Sequence, residues 1–385
     1  MSVTISDAIK YVGVDDTDLD LFESQYIVPN GVSYNSYVIL DEKIAVMDTV
    51  DKRKADEWLA NLKEVLGEKT PDYLIVSHME PDHAANIKRV AEIYPQMQIV
   101  GNAKTFQMMQ QFFATDFSDR RVVVKDGDTL SLGEHELTFV MAPMVHWPEV
   151  MVEYESKEKV LFSADGFGKF GALSAEEDWA CEARRYYFNI VGKYGAQVQT
   201  LLKKAAALDI QTICPLHGPI LQENLAYYID KYNTWSSYTP EDKGILVASA
   251  SIHGNTKDAA LKLVEKLEKT GVKVAFTDLT RDDIAEAVED AFRYDRMVLC
   301  ACTYDGGIFP AAEEFIAHLK SKNYQKRTVG LVENGSWAPV AGKQMRAAFE
   351  GMKEITILDS MVTIKSVLNE ESEAQMDALA AELTK

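Results

Sequence analysis

From Ile245 to the end of the chain, short apolar segments rich in β-branched residues alternate strictly with amphipathic stretches. The apolar segments lie at residues 245–249, 272–277, 297–302, 328–332 and 355–358, and the last amphipathic stretch is Glu370–Leu383. Strands separated by helix-length segments cannot close as hairpins. They pair in parallel through right-handed crossovers, which predicts a doubly wound five-stranded parallel sheet with helices on both faces. Such a sheet binds ligands at the carboxyl ends of its strands.

The preceding residues follow another rhythm. Residues 33–50 read as a hairpin around an Asp-Glu-Lys turn, and short strands are predicted at 73–76, 98–100, 121–124, 137–141, 150–154 and 160–163. Helical stretches fall between Lys52 and Leu66, between Ala84 and Ile93, and between Leu221 and Tyr232. Strands mixed with helices predict a layered sandwich with helices outside. The polar, turn-rich segment at residues 233–244 marks the change, so the boundary is placed near Lys243, giving domains 1–243 and 244–385. A chain of 385 residues exceeds what one core usually serves.

Forty basic against sixty acidic residues leave a formal charge of -20, which disfavours nucleic acid and anionic membranes as partners. The N-terminus lacks a secretory pattern and no apolar run is long enough to span a bilayer, so the cytoplasm is the expected compartment. Cys181, Cys214, Cys300 and Cys302 form no CxxC pair, which argues against a zinc ribbon or a disulfide framework. Cys300 and Cys302 read as reduced core residues on one face of a strand.

Directly after the apolar run at 73–76 comes Ser77-His78-Met79-Glu80-Pro81-Asp82-His83, four potential metal ligands within six residues on a strand-to-helix loop. Any one of them alone reads as a cap or a solvated residue. His146, Asp165 and His217 change the balance, because each also follows an apolar segment, where several strands can aim at one point. His135 and His318 lack that context and read as surface residues.

The run HxExDH followed by separate His, Asp and His resembles the metallo-β-lactamase-like domain of flavodiiron proteins, also called A-type flavoproteins. That resemblance implies an αββα sandwich. It also implies that His78, Glu80 and His146 hold one iron and Asp82, His83 and His217 the other, with Asp165 bridging. Zinc hydrolases of the wider superfamily resemble HxHxDH instead. Glu80 places a hard anionic oxygen where they have imidazole, which moves preference from zinc towards iron or manganese. Phe170 departs from the family pattern, standing where many relatives have a histidine near the metals.

In the second region Ser251-Ile252-His253-Gly254-Asn255-Thr256 resembles the flavodoxin phosphate loop, S/T-x-x-G-x-T, at the start of a helix. Cys302-Thr303-Tyr304-Asp305-Gly306-Gly307 and Asn334-Gly335-Ser336-Trp337 resemble the loops that hold the isoalloxazine ring. His253 stands where relatives often carry an aromatic residue. No GxGxxG follows a strand, so NAD(P)H is not expected as the direct donor.

The resemblance spans essentially the whole chain. It implies two non-haem irons, FMN, and reduction of dioxygen to water or of nitric oxide to nitrous oxide. It further implies electrons from an external carrier such as rubredoxin, and a head-to-tail homodimer or dimer of dimers. Residues before Gly244 include 23 basic against 38 acidic, and those from Gly244 onward 17 against 22, so the flavin half is the better docking face, with Lys320, Lys322, Lys326 and Arg327 as candidates, a cluster that also reads, and more readily, as a solvated helix end. Two rivals stay open: a zinc hydrolase fused to a flavodoxin-like module, and a redox sensor whose metal site is structural.

Overall fold

In the computed structural model, which describes residues 5–385, the chain divides into two compact units. One comprises residues up to Tyr186 together with Ala196–Asn233, and the other Tyr187–Gly195 with Thr234–Lys385.

The first unit is built on two sheets. Six strands run in the order Ile9–Tyr11, Tyr37–Ile39, Ala45–Met47, Tyr73–Ile75, Gln98–Gly101, Arg121–Val123. Five more run Thr129–Ser131, Glu136–Met141, Met151–Glu155, Val160–Phe162, Thr212–Cys214. One apolar cluster draws on both, with Tyr37, Met47, Ile75 and Val100 from the first sheet and Leu137, Phe139, Phe162 and Cys214 from the second. This is the expected sandwich core, and the alternation along Glu136–Met141 shows why: Leu137 and Phe139 are fully buried while Glu136 is exposed. Outside it, the helix Ala55–Leu66 buries Ala55, Trp58, Leu62 and Leu66 along one stripe and stops at Gly67, whose φ of 58° suits glycine.

Strand direction concentrates chemistry at one end of each sheet. Ala45–Met47, Tyr73–Ile75 and Gln98–Gly101 are parallel neighbours, so Asp48 and the loop that begins at Val76 emerge side by side. In the second sheet Val160–Phe162 and Thr212–Cys214 are parallel, with Phe162 opposite Cys214, and Glu136–Met141 shares their direction through two antiparallel steps. The segments carrying His146, Asp165 and His217 therefore leave this sheet at the same end.

The predicted helix from Leu221 instead spans Leu225–Ser236, because the backbone of Leu221 is paired with Ile213. The helix Ala103–Phe113 was not expected. Its signal is Asn102, whose Oδ1 accepts from the backbone N–H groups of Lys104 and Thr105.

The second unit holds the parallel sheet, in the order Val274–Asp278, Asp242–Ala250, Tyr294–Tyr304, Arg327–Asn334, Ile355–Ile364. In chain order that is 2-1-3-4-5, the flavodoxin-like arrangement. A two-residue strand, Gly307–Ile308, folds back antiparallel onto Tyr294–Tyr304. The helices Asn255–Glu268 and Glu370–Leu383 supply Leu263, Leu267, Met376 and Leu379 to a core shared with Val247, Val298 and Val332. Within this unit Phe188 stacks on Phe292 at 4.3 Å, and the Asn189 side chain donates to the Ala285 carbonyl.

Candidate functional site

The seven ligand-type residues of the first unit converge as two groups, His78 with Glu80, His146 and Asp165, and Asp82 with His83 and His217. In the first, His146 Nε2 lies 2.9 Å from both Glu80 Oε2 and Asp165 Oδ2, and His78 Nε2 lies 3.4 Å from that same Asp165 oxygen. In the second, His217 Nε2 is 3.2 Å from Asp82 Oδ2 and from His83 Nε2. The other oxygen of Asp165, Oδ1, is 3.9 Å from His217 Nε2. One carboxylate thus turns an oxygen towards each group.

Local structure aims these side chains. His217 Nδ1 donates to the Ser33 carbonyl at 2.7 Å, which leaves Nε2 as the nitrogen with a free lone pair. His83 Nδ1 lies 3.3 Å from the Thr49 carbonyl, while Thr49 Oγ1 donates to the carbonyl of His83. Pro81 opens the short helix Pro81–Ala84, where its missing N–H costs nothing, and so turns Asp82 and His83 inward. The start of the loop is clamped by Asp48, whose two oxygens accept from Ser77 N–H and Ser77 O–H at 2.8 and 2.6 Å. Glu149 accepts from the Met79 N–H at 2.7 Å.

Burial works against every charge here, and neighbouring charges decide the outcome. Against burial, the Asp165 and Glu80 carboxylates hold His78 well above its ordinary range and raise His146 to about 10. Asp165 is held well below the usual carboxylate range despite burial, through His78 and His146. Burial and the charge of Glu80 push Asp82 up to about 6, and burial with the charges of His217 and His78 drives His83 down.

Apart from the close carboxylate–imidazole contacts within the two groups, both oxygens of Asp165, both of Asp82 and both ring nitrogens of His78 are buried without a hydrogen-bond partner among the described residues. Buried polar atoms in such number need an account, and cations coordinated by four imidazoles and three carboxylates supply one.

Aromatic rings wall this cluster. Phe22 stands edge-on to His217 at 5.5 Å and to Phe170 at 5.6 Å, and Tyr186 lies 5.5 Å from His217 and 5.1 Å from Phe170. Phe170 is buried under the Arg185 guanidinium, 4.5 Å from its ring. The Tyr186 hydroxyl is buried with no hydrogen-bond partner among the described residues, and burial together with Asp165, Glu80 and Asp82 pushes its ionisation far up. Sequence reasoning missed Phe22 and Tyr186, since an aromatic residue in a hairpin or a helix reads as ordinary core.

In the second unit a cleft of about 560 Å³ opens at the carboxyl ends of the parallel strands. It is lined by Ser251, Ile252, His253, Asn255 and Thr256, by Cys302 through Gly306, and by Asn334 through Trp337. Gly254 and Gly307 do not line it. Gly254 caps the helix Asn255–Glu268 at φ 99°, and its N–H donates to Ser251 Oγ. Val340 and Ser366 line the cleft without having been expected. A helix N-terminus flanked by hydroxyls suits a phosphate, while Tyr304 and the 93% exposed Trp337 offer rings.

Two expectations are corrected. His135 is not a surface residue: it is buried, with Nδ1 2.7 Å from Asp41 Oδ2 and Nε2 3.3 Å from Glu158 Oε1. Nor is the basic cluster a free docking patch. Arg327 is buried and donates to the carbonyls of Tyr238, Gln325 and Phe292. Lys326 donates to the Ser237 carbonyl and Lys322 to that of Asn189. Lys320 is exposed.

Residues 32–218 match the model of the ODP family beta lactamase, and residues 246–356 that of a flavodoxin domain. A nitric oxide reductase of Moorella thermoacetica is 28% identical over 377 residues, covering 95% of this chain and 94% of that protein. Diflavin flavoprotein A 1 of Synechocystis is 32% identical over 282 residues, where the match takes in 71% of this chain and 49% of the relative. The chain thus accounts for about half the length of that longer relative. The structure of rubredoxin oxygen:oxidoreductase from the anaerobe Desulfovibrio gigas superposes with a TM-score of 0.93 at 26% identity, covering 100% of this chain and 98% of that one.

Proposed function

Because the chain belongs to the flavodiiron protein family, we propose that it is an oxidoreductase that reduces dioxygen to water, nitric oxide to nitrous oxide, or both. The observation that carries this reading is the division of Asp165 between the two groups, Oδ2 at 2.9 Å from His146 Nε2 and Oδ1 turned to His217. A single structural ion needs no shared carboxylate. We assign one non-haem iron to His78, Glu80 and His146, a second to Asp82, His83 and His217, and the bridge to Asp165. FMN is assigned to the cleft of the second unit, within the module 244–385. When bound, two ferrous ions supply two electrons and room for a diatomic ligand, and the reduced flavin supplies two electrons more.

The chain's own side chains do the rest. His217 and His83 are oriented by backbone carbonyls, so no reorganisation is needed as charge changes at the site. Phe22, Phe170 and Tyr186 keep one flank dry, which suits a small apolar substrate. Dioxygen takes four electrons and four protons to become two waters, and two nitric oxide molecules take two of each to become nitrous oxide and water. Tyr186, whose ring lies 5.5 Å from that of His217 and whose buried hydroxyl has no hydrogen-bond partner among the described residues, would offer a donor near the bound substrate.

Glu80 weighs against the zinc hydrolase reading, because an anionic oxygen replaces imidazole beside the first metal. The test is reconstitution. Iron-loaded protein with reduced flavin should consume dioxygen or nitric oxide, and zinc-loaded protein should not; equal activity with zinc refutes the assignment.

We further propose rubredoxin as the carrier, the cytoplasm as compartment, and a head-to-tail homodimer, alone or paired, as the working unit. The name of the Desulfovibrio gigas enzyme supports the carrier, and the acidic balance of the chain keeps it off anionic surfaces. Among the described residues no helix is long and apolar enough to cross a membrane. The dimer rests on the family resemblance. Mixing a metal-site variant with a flavin-loop variant, each inactive, should give mixed dimers with about half the parent's activity per dimer if electrons cross between chains in a twofold pair. A mixture that forms mixed dimers and stays inactive refutes it.

A further inference from the structure

The fifth strand of the parallel sheet, Ile355–Ile364, ends in a turn that the flavodoxin-like loops do not account for. The Val367 N–H donates to the Lys365 carbonyl at 3.1 Å, and Ser366 between them has φ 72°. A two-residue hydrogen bond around a positive φ marks the rarer and more strained γ-turn, seldom held by a residue with a Cβ. Strain of this kind persists only where the surroundings over-determine it, and it gathers at ligand sites.

Here the surroundings are specific. Asn334 Oδ1 accepts from the Ser366 N–H and Asn334 Nδ2 donates to the Ser366 carbonyl, both at 3.0 Å, so one amide grips both backbone groups of the strained residue. The same Nδ2 lies 3.3 Å from Thr256 Oγ1 in the phosphate loop. Gly335 N–H donates to the Ile364 carbonyl. The clasp holds the Ser366 hydroxyl 2.9 Å from that of Ser336, and both residues line the cleft. Asn334 thus ties Ser366 to Thr256 of the candidate phosphate loop, and Ser366 is paired with Ser336, the residue before the ring-bearing Trp337.

Resting on the flavin reading above, we infer that Ser366 is a flavin-contacting residue, held in its strained turn by Asn334 so that the Ser366–Ser336 pair hydrogen-bonds the polyol arm between phosphate and ring. The fifth strand then supplies a fourth loop of the site, one that reads the ribityl hydroxyls. The phosphate and the ring are left to the other three loops.

Three ligands separate these contributions on the full chain stripped of flavin: FMN, riboflavin, which lacks the phosphate, and lumiflavin, which lacks the whole arm. Affinity is read by flavin fluorescence, without turnover. Ser366→Ala should weaken FMN and riboflavin by the same factor, about five- to tenfold for one neutral hydrogen bond, and leave lumiflavin unchanged. Ser366→Gly keeps the positive φ without strain and should show the same losses, which separates a lost contact from a misfolded turn. Thr256→Ala should weaken FMN and spare riboflavin. Both Ser366 variants binding FMN and riboflavin within twofold of the parent, or losing lumiflavin equally, would overturn the inference. A parent chain that binds no FMN removes the flavin reading, and this inference with it.

Discussion

The two halves hold their chemistry in opposite ways. In the first unit the candidate metal ligands leave the ends of buried strands: His78, His83, Asp165 and His217 are at most 1% exposed, and Phe22 stands edge-on to both His217 and Phe170. In the flavin half the groups sit on loops around an open cleft, with Trp337 93% and Tyr304 46% exposed. A buried cluster of carboxylates and imidazoles is costly to fold without its ions. An open cleft remains solvated without its ligand. Metal binding should therefore be bound up with the stability of its unit, and flavin binding much less so.

The sharpest way to break that contrast is Asp165→Ala. It removes the only carboxylate, among the described residues, that turns an oxygen to both groups. Metal content should fall from about two ions per chain to one or none and activity by at least about a hundredfold, while FMN affinity stays as in the parent. Elemental analysis and flavin titration read both outcomes. Loss of FMN binding in this variant would show that the halves are not independent.

Stripping each ligand in turn sharpens the same point. Chelation of the metals should lower the unfolding temperature of the first unit by about ten degrees, since a tightly held ion contributes several kcal/mol. Removing flavin should move the second unit by no more than about half as much. Calorimetry on the two stripped proteins measures both, and equal shifts would contradict the contrast.

Why the sequence reveals one half better than the other follows from the same difference. The seven ligand-type residues that converge in two groups could be picked out because each is placed just after an apolar run, and the strands deliver them to one end. The candidate phosphate loop stood out for a similar reason, lying between a strand and a helix. Tyr186 was not, because its role depends on what surrounds its hydroxyl. Ser366 gives no local signal either, since its conformation is imposed by Asn334, 32 residues away. His135 looked exposed because it sits in a turn, yet Asp41, 94 residues away, and Glu158 enclose it. Arg327 looked like part of a surface cluster, but backbone carbonyls take up its guanidinium and burial lowers its pKa to about 10. Contacts distant in sequence are what pattern reading cannot supply.

A smaller effect is expected at the flavin loop. Thr256→Ala should weaken FMN binding by about 1.5–3 kcal/mol, the range for a hydrogen bond to a charged acceptor, with metal content unchanged. Undiminished affinity would mean that the phosphate lies elsewhere.

The smallest effect tests the turn contact of His135, in the metal-binding unit but away from its ligands. Against the cost of burial, hydrogen bonds from the His135 backbone and ring hold Asp41 below the usual carboxylate range. A depressed carboxyl stabilises the fold above its unfolded value, near 3.9, and that stabilisation fades as pH falls through the folded value. Asp41→Asn should therefore unfold a few degrees early at neutral pH, with the difference vanishing in acid. A gap that persists unchanged at pH 2 to 3 would point to packing instead.

The most direct test of the account is stoichiometric. Full-chain protein loaded with iron and FMN is reduced anaerobically, the electrons taken up are counted, and the donor is removed before gas is admitted. About four electrons per chain should enter, from two irons and one flavin. The reduced protein should then consume about one dioxygen per chain without releasing peroxide, or about four nitric oxide molecules with release of about two nitrous oxide. Uptake of only the two flavin electrons, or full reduction followed by no consumption of either gas, would contradict the account.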